Sequence, residues 1–178
     1  MRAVALAVLL LLAGCSGALP AGTDTTAEPT ERTATITHVV DGDTVEVRFA
    51  DGSTDTIRLL GVDSPEVSGD VSPGEFGLDD DGATRDCLRA AGESASAFAR
   101  DQLSGREVIV ATDATADRRG GYGRLLAYVS LPDAAESFNH ALLERGLARV
   151  YVTDFARLSA FESAAETARA DGRGLWAC

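Results

Sequence analysis

The sequence predicts a small closed β-barrel of five short strands with helices packed on it, a mainly β member of the α+β class. The first part of the domain alternates apolar and polar residues in three strand-length runs. Asp-Gly pairs separate these runs, and that dipeptide between alternating segments is typical of hairpins. Segments with helical spacing interrupt and follow two further runs. A closed barrel is favoured over an open sheet because closure leaves no unpaired strand edge.

The strands are predicted in two groups, a three-stranded meander and a later pair. In the meander, the breaks fall at Asp41-Gly42 and Asp51-Gly52, and Pro65 ends the last run. The polar segment 112–123 separates the later pair as a loop. The five predicted strands cover residues 33–40, 45–49, 54–62, 106–111 and 124–131.

Three helices are predicted, each with one apolar stripe. The first covers residues 93–103. The second covers 138–145, with Ser137 as a preferred N-cap and Gly146 at a position that suits a left-handed C-terminal cap. The third follows Asp154 and stops at Gly172. Their stripes contain Ala95, Phe98, Ala99 and Leu103 in the first helix and Leu158, Phe161, Ala165 and Ala168 in the third.

The charge balance limits how the protein can bind a polyanion. The formal net charge is −12, and all sixteen basic residues are arginine. Broad binding to nucleic acid usually relies on many Lys and Arg side chains against phosphates. Either nucleic acid is not the substrate, or attraction is confined to a few clustered arginines and a divalent cation. An acidic surface without lysine also favours a salt-adapted, halophilic protein, because salt screens its self-repulsion.

The first fourteen residues are predicted to be an export signal. Arg2 precedes an apolar run over residues 3–12, which is too short to cross a bilayer, since that takes about 20 residues. The run ends in Leu-Ala-Gly-Cys15, which is similar to a bacterial lipobox with cleavage before Cys15 and lipid on its sulfur. An ordinary signal peptide cut near Ala18 or Ala21 is the alternative. Export places the protein outside the cytoplasm.

Residues 15–32 show no periodicity and are predicted to be a flexible linker, which leaves residues 33–178 as the folded domain. With lipid on Cys15 the domain would be held at the outer face of the cell membrane, and without it the domain would be secreted. The domain keeps two cysteines, Cys87 and Cys178. An exported protein can form disulfides and an exposed thiol is a liability, so the two are predicted to pair rather than to stay as free thiols.

Carboxylates near the second and third strands predict a site for a hard cation. Asp43 and Asp63 each lie at a strand boundary, where a turn can direct both at one ion, and the main-chain carbonyl of Ser64 offers another oxygen. Calcium prefers such oxygen ligands at flexible geometry. His38 and His140 have no partner at ligand spacing, so a zinc site is poorly supported and both are interpreted as structural. The predicted cofactor is therefore Ca²⁺.

Two arginines and one glutamate complete a set that suits phosphodiester hydrolysis. Arg58 and Arg124 can grip a phosphoryl group from two sides, since a guanidinium donates paired hydrogen bonds and stays charged. Glu66 is the candidate general base for an attacking water. Each signal alone has a plain structural explanation, such as a hairpin turn, a surface ion pair or a loop junction. Only their joint occurrence favours a nuclease.

The chain resembles the thermonuclease family, the staphylococcal nuclease-like domain, from about residue 33 to residue 176. The resemblance implies an OB-fold barrel with three helices and a Ca²⁺-dependent phosphodiesterase that cuts DNA and RNA at the 5′ P–O bond and leaves 3′-phosphate ends. The stretches that carry it are Asp41-Gly-Asp-Thr-Val, Ile57-Arg-Leu-Leu-Gly-Val-Asp-Ser-Pro-Glu66, Gly92-Glu-Ser-Ala-Ser-Ala-Phe98, Tyr122-Gly-Arg-Leu-Leu-Ala-Tyr128, residues 139–148 and Gly174-Leu-Trp176.

The resemblance also assigns roles to residues of this chain. Asp43, Asp63 and the Ser64 carbonyl correspond to the calcium ligands. Arg58, Glu66 and Arg124 correspond to the three catalytic residues. In addition, Asp41 is similar to an outer carboxylate near the metal, and Tyr122 is similar to a tyrosine that contacts a substrate phosphate.

The chain departs from the family pattern in three places. The region after Val150 does not align cleanly, so Tyr151 is a candidate base or phosphate contact that the resemblance does not assign. Gly121 stands where the family often has a basic residue, and Arg118 and Arg119 are the candidates to replace it. The acidic stretch 67–91 is longer than expected, and its Asp79-Asp80-Asp81-Gly82 run is interpreted as a solvated loop rather than a calcium loop.

Three functions follow from this pattern. The first is a monomeric, extracytoplasmic nuclease that acts on DNA and RNA, with single strands preferred. The second is a non-catalytic OB-fold lipoprotein that binds nucleic acid or protein, which the acidic surface and Gly121 favour. The third is an acidic lipoprotein that buffers metal ions at several sites.

Overall fold

The computed structural model describes residues 29–178, and the predicted closed five-stranded barrel is confirmed in this part of the chain. Around the barrel the strands follow the order β1-β2-β3-β6-β5, and two further short strands, β4 and β7, form a separate two-stranded ladder. The strands are β1 Glu31–Val39, β2 Thr44–Phe49, β3 Thr54–Leu59, β4 Val62–Asp63, β5 Glu107–Ala111, β6 Leu125–Ser130 and β7 Arg149–Val150.

Three α-helices pack on this barrel, as predicted. They are α1 Gly82–Leu103, α2 Phe138–Glu144 and α3 Leu158–Ala170, with short 3-10 helices at Pro73–Phe76 and Gly174–Ala177. The predicted caps of α2 are also confirmed. The Ser137 hydroxyl accepts a hydrogen bond from the backbone N–H of His140 at 3.2 Å, and Gly146 has a φ of 66°.

The barrel closes through one parallel pair, β3 with β6, while its other neighbours are antiparallel. In this pair Ile57 lies opposite Leu125, and Arg58 lies opposite Leu126. Because the two strands run in the same direction, Arg58 and the residue that precedes β6, Arg124, lie near the same end of the barrel. The apolar side chains of the strands fill the interior, including Val45, Val47, Ile57 and Leu59, which are fully buried.

The run predicted as one strand over residues 54–62 divides into two elements. Strand β3 ends at Leu59, the chain turns at Leu60-Gly61, and β4 then pairs with β7 rather than with the barrel. In that ladder Asp63 lies directly opposite Arg149. The continuous apolar pattern hid this break, because Leu60 in the turn and Val62 in β4 are both buried in the same core as β3.

Helix α1 begins eleven residues earlier than predicted. Asp81 caps it by accepting a hydrogen bond from the Thr84 backbone N–H at 2.8 Å, so the acidic run is partly a helix start rather than only a solvated loop. The added turns bury Leu88 in a second apolar cluster, outside the barrel. That cluster consists of Val71, Phe76, Leu88, Ala91 and Leu175.

The close packing of α1 on the site requires glycine at one position. A Cβ at Gly92 would lie 2.3 Å from the Pro65 carbonyl oxygen, well inside any normal contact. The helix therefore lies directly against the backbone that leads into Glu66. This contact fixes the position of the backbone where the acidic stretch 67–91 begins.

Cys87 and Cys178 lie with their Cα atoms 5.6 Å apart, a separation found in disulfide-bonded pairs. The first is on α1 and the second is the last residue of the chain. This geometry supports the predicted pairing.

The predicted export signal over residues 1–14, the lipid site at Cys15 and the linker as far as residue 28 lie outside the described residues. Within the described residues, β1 begins at Glu31, two residues before the predicted start of the domain. Of the helices described in residues 29–178, none has both the length and the apolar character needed to cross a membrane.

Candidate active site

Asp43 occupies the turn between β1 and β2 and is buried, with 5% of its surface exposed. Its backbone N–H donates to Asp41 Oδ1 at 3.0 Å, which makes the Asp41-Gly42-Asp43 turn. Its carbonyl accepts from the Leu59 N–H at 2.8 Å, which ties the turn to the end of β3. The side chain is therefore fixed by main-chain bonds on both sides.

Both oxygens of the Asp43 carboxylate accept hydrogen bonds. Oδ2 accepts from the Ser64 backbone N–H at 2.7 Å and from the Ser64 hydroxyl at 3.0 Å. Oδ1 accepts from the Thr44 hydroxyl at 3.1 Å and lies 3.0 Å from Arg58 Nη1. Burial raises the pKa of Asp43 to about 6, although Arg58 and the Ser64 N–H act in the opposite direction. A nearby divalent cation would favour the charged form.

Arg58 joins the second carboxylate, Asp63, to the first, and Arg149 binds the other oxygen of Asp63. Arg58 Nη2 lies 2.7 Å from Asp63 Oδ1, and Arg149 Nη2 lies 2.7 Å from Asp63 Oδ2. Arg58 Nη1 also donates to the Val62 carbonyl at 2.7 Å. Asp43, Arg58, Asp63 and Arg149 are called the carboxylate cluster below. Each of its four carboxylate oxygens has a donor, and one guanidinium spans both carboxylates.

Arg149 is a member of this cluster that the sequence analysis missed. It lies opposite Asp63 in the β4–β7 ladder, and its Nη2 atom is also 3.5 Å from Glu75 Oε2. Its guanidinium stacks near Phe76, with Cζ 5.3 Å from the ring centroid. Nothing local marks Arg149, because its role depends on a strand pairing between residues 86 positions apart.

Glu66 follows Pro65 at the mouth of the site, where its side chain is exposed to solvent. Partial desolvation and the negative charges of Asp41 and Asp63 raise its pKa, while Arg58 and Arg124 act to lower it. Because the side chain is exposed, solvent screening limits this shift. The balance shows that Glu66 lies within electrostatic range of the other predicted site residues.

Arg124 reaches the same place from the loop before β6. Its Nη1 donates to the Thr44 hydroxyl at 3.2 Å, and that hydroxyl donates to Asp43. Tyr122 is 91% exposed, and the Arg124 Cζ atom lies 5.6 Å from the centroid of its ring. Thr44, which the sequence analysis did not single out, thus links Arg124 to the carboxylate cluster.

A cleft of about 370 Å³ opens beside these residues. It is lined by three arginines, by Tyr122, and by Tyr151 and Thr153 from the segment after β7; the arginines are Arg58, Arg119 and Arg124. The cleft is large enough to accept part of a nucleotide chain.

The donor chemistry of the site suits a hard cation. Two carboxylates meet at one guanidinium, and Ser64 adds a neighbouring main-chain carbonyl, so the ligands at hand are oxygens. No group of three His, Cys, Asp or Glu side chains in residues 29–178 is arranged as a metal site. A cation here would therefore rely on two carboxylates, backbone oxygen and water, a set that Ca²⁺ accepts.

The chain matches the family model described as "Staphylococcal nuclease homologue" over residues 56–178, which is more than half of its length. The chain belongs to this staphylococcal nuclease family. The match contains Arg58, Asp63, Glu66 and Arg124. It begins after Asp43, which the structure brings within 3.0 Å of Arg58.

Relatives with nuclease names support membership of the staphylococcal nuclease family. The chain is 31% identical to the thermonuclease of Staphylococcus hyicus over 148 residues, covering 82% of this chain and 76% of that protein. It is 32% identical to endonuclease YncB of Bacillus subtilis, covering 80% of this chain and 60% of that protein. An uncharacterized protein of Methanocaldococcus jannaschii is 37% identical, covering 79% of this chain and 70% of that protein.

Proposed function

We propose that this protein is a Ca²⁺-dependent nuclease that hydrolyses phosphodiester bonds of DNA and RNA and leaves 3′-phosphate ends. The observation that carries the proposal is that Arg58, which links two carboxylates, lines one cleft with Arg124, while the exposed Glu66 lines a smaller cleft together with Asp63 and Ser64. These groups come from four separate segments of the chain. Their convergence is what a hydrolytic site requires and what a simple surface ion pair would not need.

The side chains divide the chemistry between them. Asp43, Asp63 and the Ser64 carbonyl would hold Ca²⁺, which would neutralise a phosphate oxygen and favour deprotonation of a water. Arg58 and Arg124 donate hydrogen bonds to the phosphoryl oxygens, where negative charge grows in the transition state.

Glu66 is the proton acceptor in this scheme. It takes the proton of the attacking water as the new O–P bond forms, and the bond from phosphorus to the 5′ oxygen breaks. The departing 5′ oxygen takes a proton from solvent, which leaves a 3′-phosphate and a 5′-hydroxyl. The exposed position of Glu66 allows the water and proton to exchange with solvent.

Two exposed tyrosines fit a nucleic-acid chain better than a small phosphodiester. Tyr122 and Tyr151 line the cleft with exposed fractions of 91% and 53%. Aromatic faces stack on unpaired bases without sequence preference, so we propose that single strands are preferred. Tyr122 is proposed to contact a substrate phosphate.

The test is digestion of single-stranded DNA and of RNA by the purified protein, with Ca²⁺ and with EGTA. We expect cutting only with Ca²⁺, and a loss of about a hundredfold or more in Glu66→Gln and Arg58→Ala. Glu46→Gln and Arg48→Ala, on the outer face of β2, make the same charge changes away from the cleft and should cut normally.

A second function, a non-catalytic module that binds nucleic acid or protein, is favoured by one observation. Arg119, a candidate to replace the basic residue missing at Gly121, is paired with Asp55 instead. A folded wild-type protein that binds single-stranded DNA but cuts neither substrate in any condition would establish this alternative. A calorimetric count of several Ca²⁺ ions per chain would instead favour a metal buffer.

We also propose that the protein is exported, with lipid on Cys15, and works as a monomer. Mass spectrometry of membrane-bound protein should find an acylated Cys15, and Cys15→Ala should be released into the medium. Cys87 and Cys178 are proposed to pair, so the unreduced protein should show no thiol that reacts at either position.

Salt adaptation is proposed from the net charge of −12 and the absence of lysine. Activity should persist or rise in molar NaCl or KCl, because screening reduces repulsion between the acidic surface and the substrate. Loss of activity at high salt by a folded protein would contradict this proposal.

A further inference from the structure

The loop that carries Tyr122 and Arg124 has little intrinsic rigidity. Residues 120–123, Gly-Gly-Tyr-Gly, are called the glycine turn below, and three of its four residues lack a side chain that could restrict the backbone. Gly123 has a φ of 75°, a conformation that favours glycine. Such a turn is easily formed, but its own backbone does not hold it in one place.

Backbone hydrogen bonds shape the glycine turn into a narrow hairpin. The Gly120 N–H donates to the Arg124 carbonyl at 3.0 Å, and the Gly123 N–H donates to the Gly120 carbonyl at 2.8 Å. Across the hairpin, the Leu126 N–H donates to the Arg118 carbonyl at 3.0 Å. These bonds and the bridge between Arg119 and Leu125 tie the base of the hairpin to the start of β6.

One side chain joins the hairpin to the neighbouring strand β3. Arg119 faces the Asp55 carboxylate with two hydrogen bonds, Nη1 to Oδ1 at 3.1 Å and Nη2 to Oδ2 at 2.7 Å. The same Nη1 donates to the Gly123 carbonyl at 2.6 Å. A single guanidinium therefore binds a residue of β3 and the residue directly before Arg124.

The place of this contact makes it more than a surface ion pair. The parallel β3–β6 ladder begins at Ile57 and Leu125, so Asp55 and Gly123 both lie two residues before the first pair. Arg119 thus extends the connection between the two strands beyond the end of their ladder. The hydrogen bonds from Arg119 also hold the pKa of Asp55 below its usual value, so the carboxylate stays charged.

We propose that Arg119 is a positioning residue, anchored on Asp55, that holds the glycine turn so that Arg124 and Tyr122 point into the cleft. This rests on the proposed nuclease function. An ion pair near the surface adds little to the stability of a fold, so the contribution of this one lies in placement rather than in stability. A side chain displaced by about 1 Å can lower a rate by about a hundredfold.

The decisive variant is Asp55→Asn, because Asp55 does not line the cleft and removing its charge does not remove a substrate contact. We expect kcat to fall by about ten- to a hundredfold, while KM stays within about twofold. Arg119→Ala should show the same split. The charge-swapped double variant, Asp55→Arg with Arg119→Asp, should recover part of the lost kcat.

A matched control is the pair Arg32 and Asp51, another exposed bridge on the same barrel, with Arg32 Nη2 2.8 Å from Asp51 Oδ2. Arg32→Ala and Asp51→Asn should leave kcat unchanged. A normal kcat in Asp55→Asn together with a raised KM in Arg119→Ala would overturn the proposal, because Arg119 would then act as a direct substrate contact.

Amide hydrogen exchange tests the same proposal without any activity. In Asp55→Asn the amides of Gly120, Gly123 and Leu126 should exchange faster by about tenfold, while the melting temperature changes little. Unchanged exchange would overturn the proposal. If the wild type does not cut at all, the nuclease function fails, and exchange alone decides whether Arg119 holds the hairpin.

Discussion

The two sides of the cleft are held in place by different means. The carboxylate cluster is largely buried, each carboxylate oxygen has a donor, and its members are fixed by the barrel and by the β4–β7 ladder. The glycine turn is exposed, and the guanidinium of Arg119 supplies its side-chain tie to β3. Asp43 and Asp63, which are proposed to bind the metal, are thus held in place by the fold itself. Arg124, which is proposed to contact a phosphate, directly follows an exposed turn. Substitutions in the carboxylate cluster should therefore lower both stability and activity, whereas substitutions beside the glycine turn should lower activity alone.

The largest effect is expected for Arg58→Ala, which should lower both the unfolding free energy and the catalytic rate. Removing the guanidinium takes a partner from Asp43 and from Asp63, and leaving a buried carboxylate unpaired costs about 3 kcal/mol in unfolding free energy. The loss of phosphate contact should lower kcat by about a thousandfold. Urea unfolding and single-turnover cleavage measure the two effects.

Calcium gives an internal control for this variant. Because a cation can compensate the two carboxylates, Ca²⁺ should raise the melting temperature of Arg58→Ala more than that of the wild type. An equal or smaller rise would argue against the shared use of Asp43 and Asp63 by arginine and metal.

Arg124→Ala should lower activity and leave stability almost unchanged. The side chain is partly exposed and its contact with the Thr44 hydroxyl is a single 3.2 Å hydrogen bond, so unfolding free energy should change by about 0.5 kcal/mol or less. The rate should fall by about a hundred- to a thousandfold. A destabilisation as large as that of Arg58→Ala would contradict the expected difference between the carboxylate cluster and the glycine turn.

Arg149→Ala should give an intermediate result on the buried side. Asp63 would keep Arg58 but lose its second donor, and groups that orient a metal ligand typically contribute about ten- to a hundredfold to metal affinity or activity. Calorimetry should therefore find weaker Ca²⁺ binding. Arg169→Ala, which removes the arginine stacked on Trp176 in the neighbouring groove, is the matched control and should bind Ca²⁺ normally.

The smallest effect is a pH dependence on the loop side. Burial opposes ionisation of Asp113, but hydrogen bonds from Thr115, Tyr128 and the Ala156 N–H outweigh it and lower the pKa to about 2. Since the folded pKa lies below the unfolded value, this stability is present above about pH 4 and is lost as the pH falls toward 2.

The expected loss of unfolding free energy between pH 5 and pH 2 is about 1 kcal/mol after allowance for solvent screening. Urea unfolding from pH 5 to pH 2 should show a smaller slope in Asp113→Asn than in the wild type. Equal slopes in the two proteins would mean that the hydrogen bond between Asp113 and Tyr128 does not stabilise the fold.

Local patterns predicted the parts of the fold that local chemistry determines. The alternating strands, the Ser137 cap and the Gly146 turn each follow from residues next to one another. The closed barrel and the family resemblance then brought Arg58, Glu66 and Arg124 to one end of the molecule.

Long-range contacts were beyond the reach of the sequence pattern. The start of α1 at Gly82 depends on Leu88 packing in one apolar cluster with Leu175, which lies near the C-terminus. The pairing of Asp63 with Arg149 and the bridge from Asp55 to Arg119 join residues with no local signal. In both site contacts an ordinary arginine acquires its role from the strand that folding places beside it.

The parallel pairing of β3 with β6 has a consequence for redesign. Neighbouring strands lie about 4.8 Å apart, a distance set by main-chain hydrogen bonds and independent of side-chain identity. Strand β3, which carries Arg58, and strand β6, which follows Arg124, therefore keep their separation when residues 120–123 are replaced by other loops. Retaining Arg119 and Asp55 would keep the side-chain bridge between the new loop and β3. Loop grafting at this position offers a route to new substrate preferences on an unchanged hydrolytic scaffold.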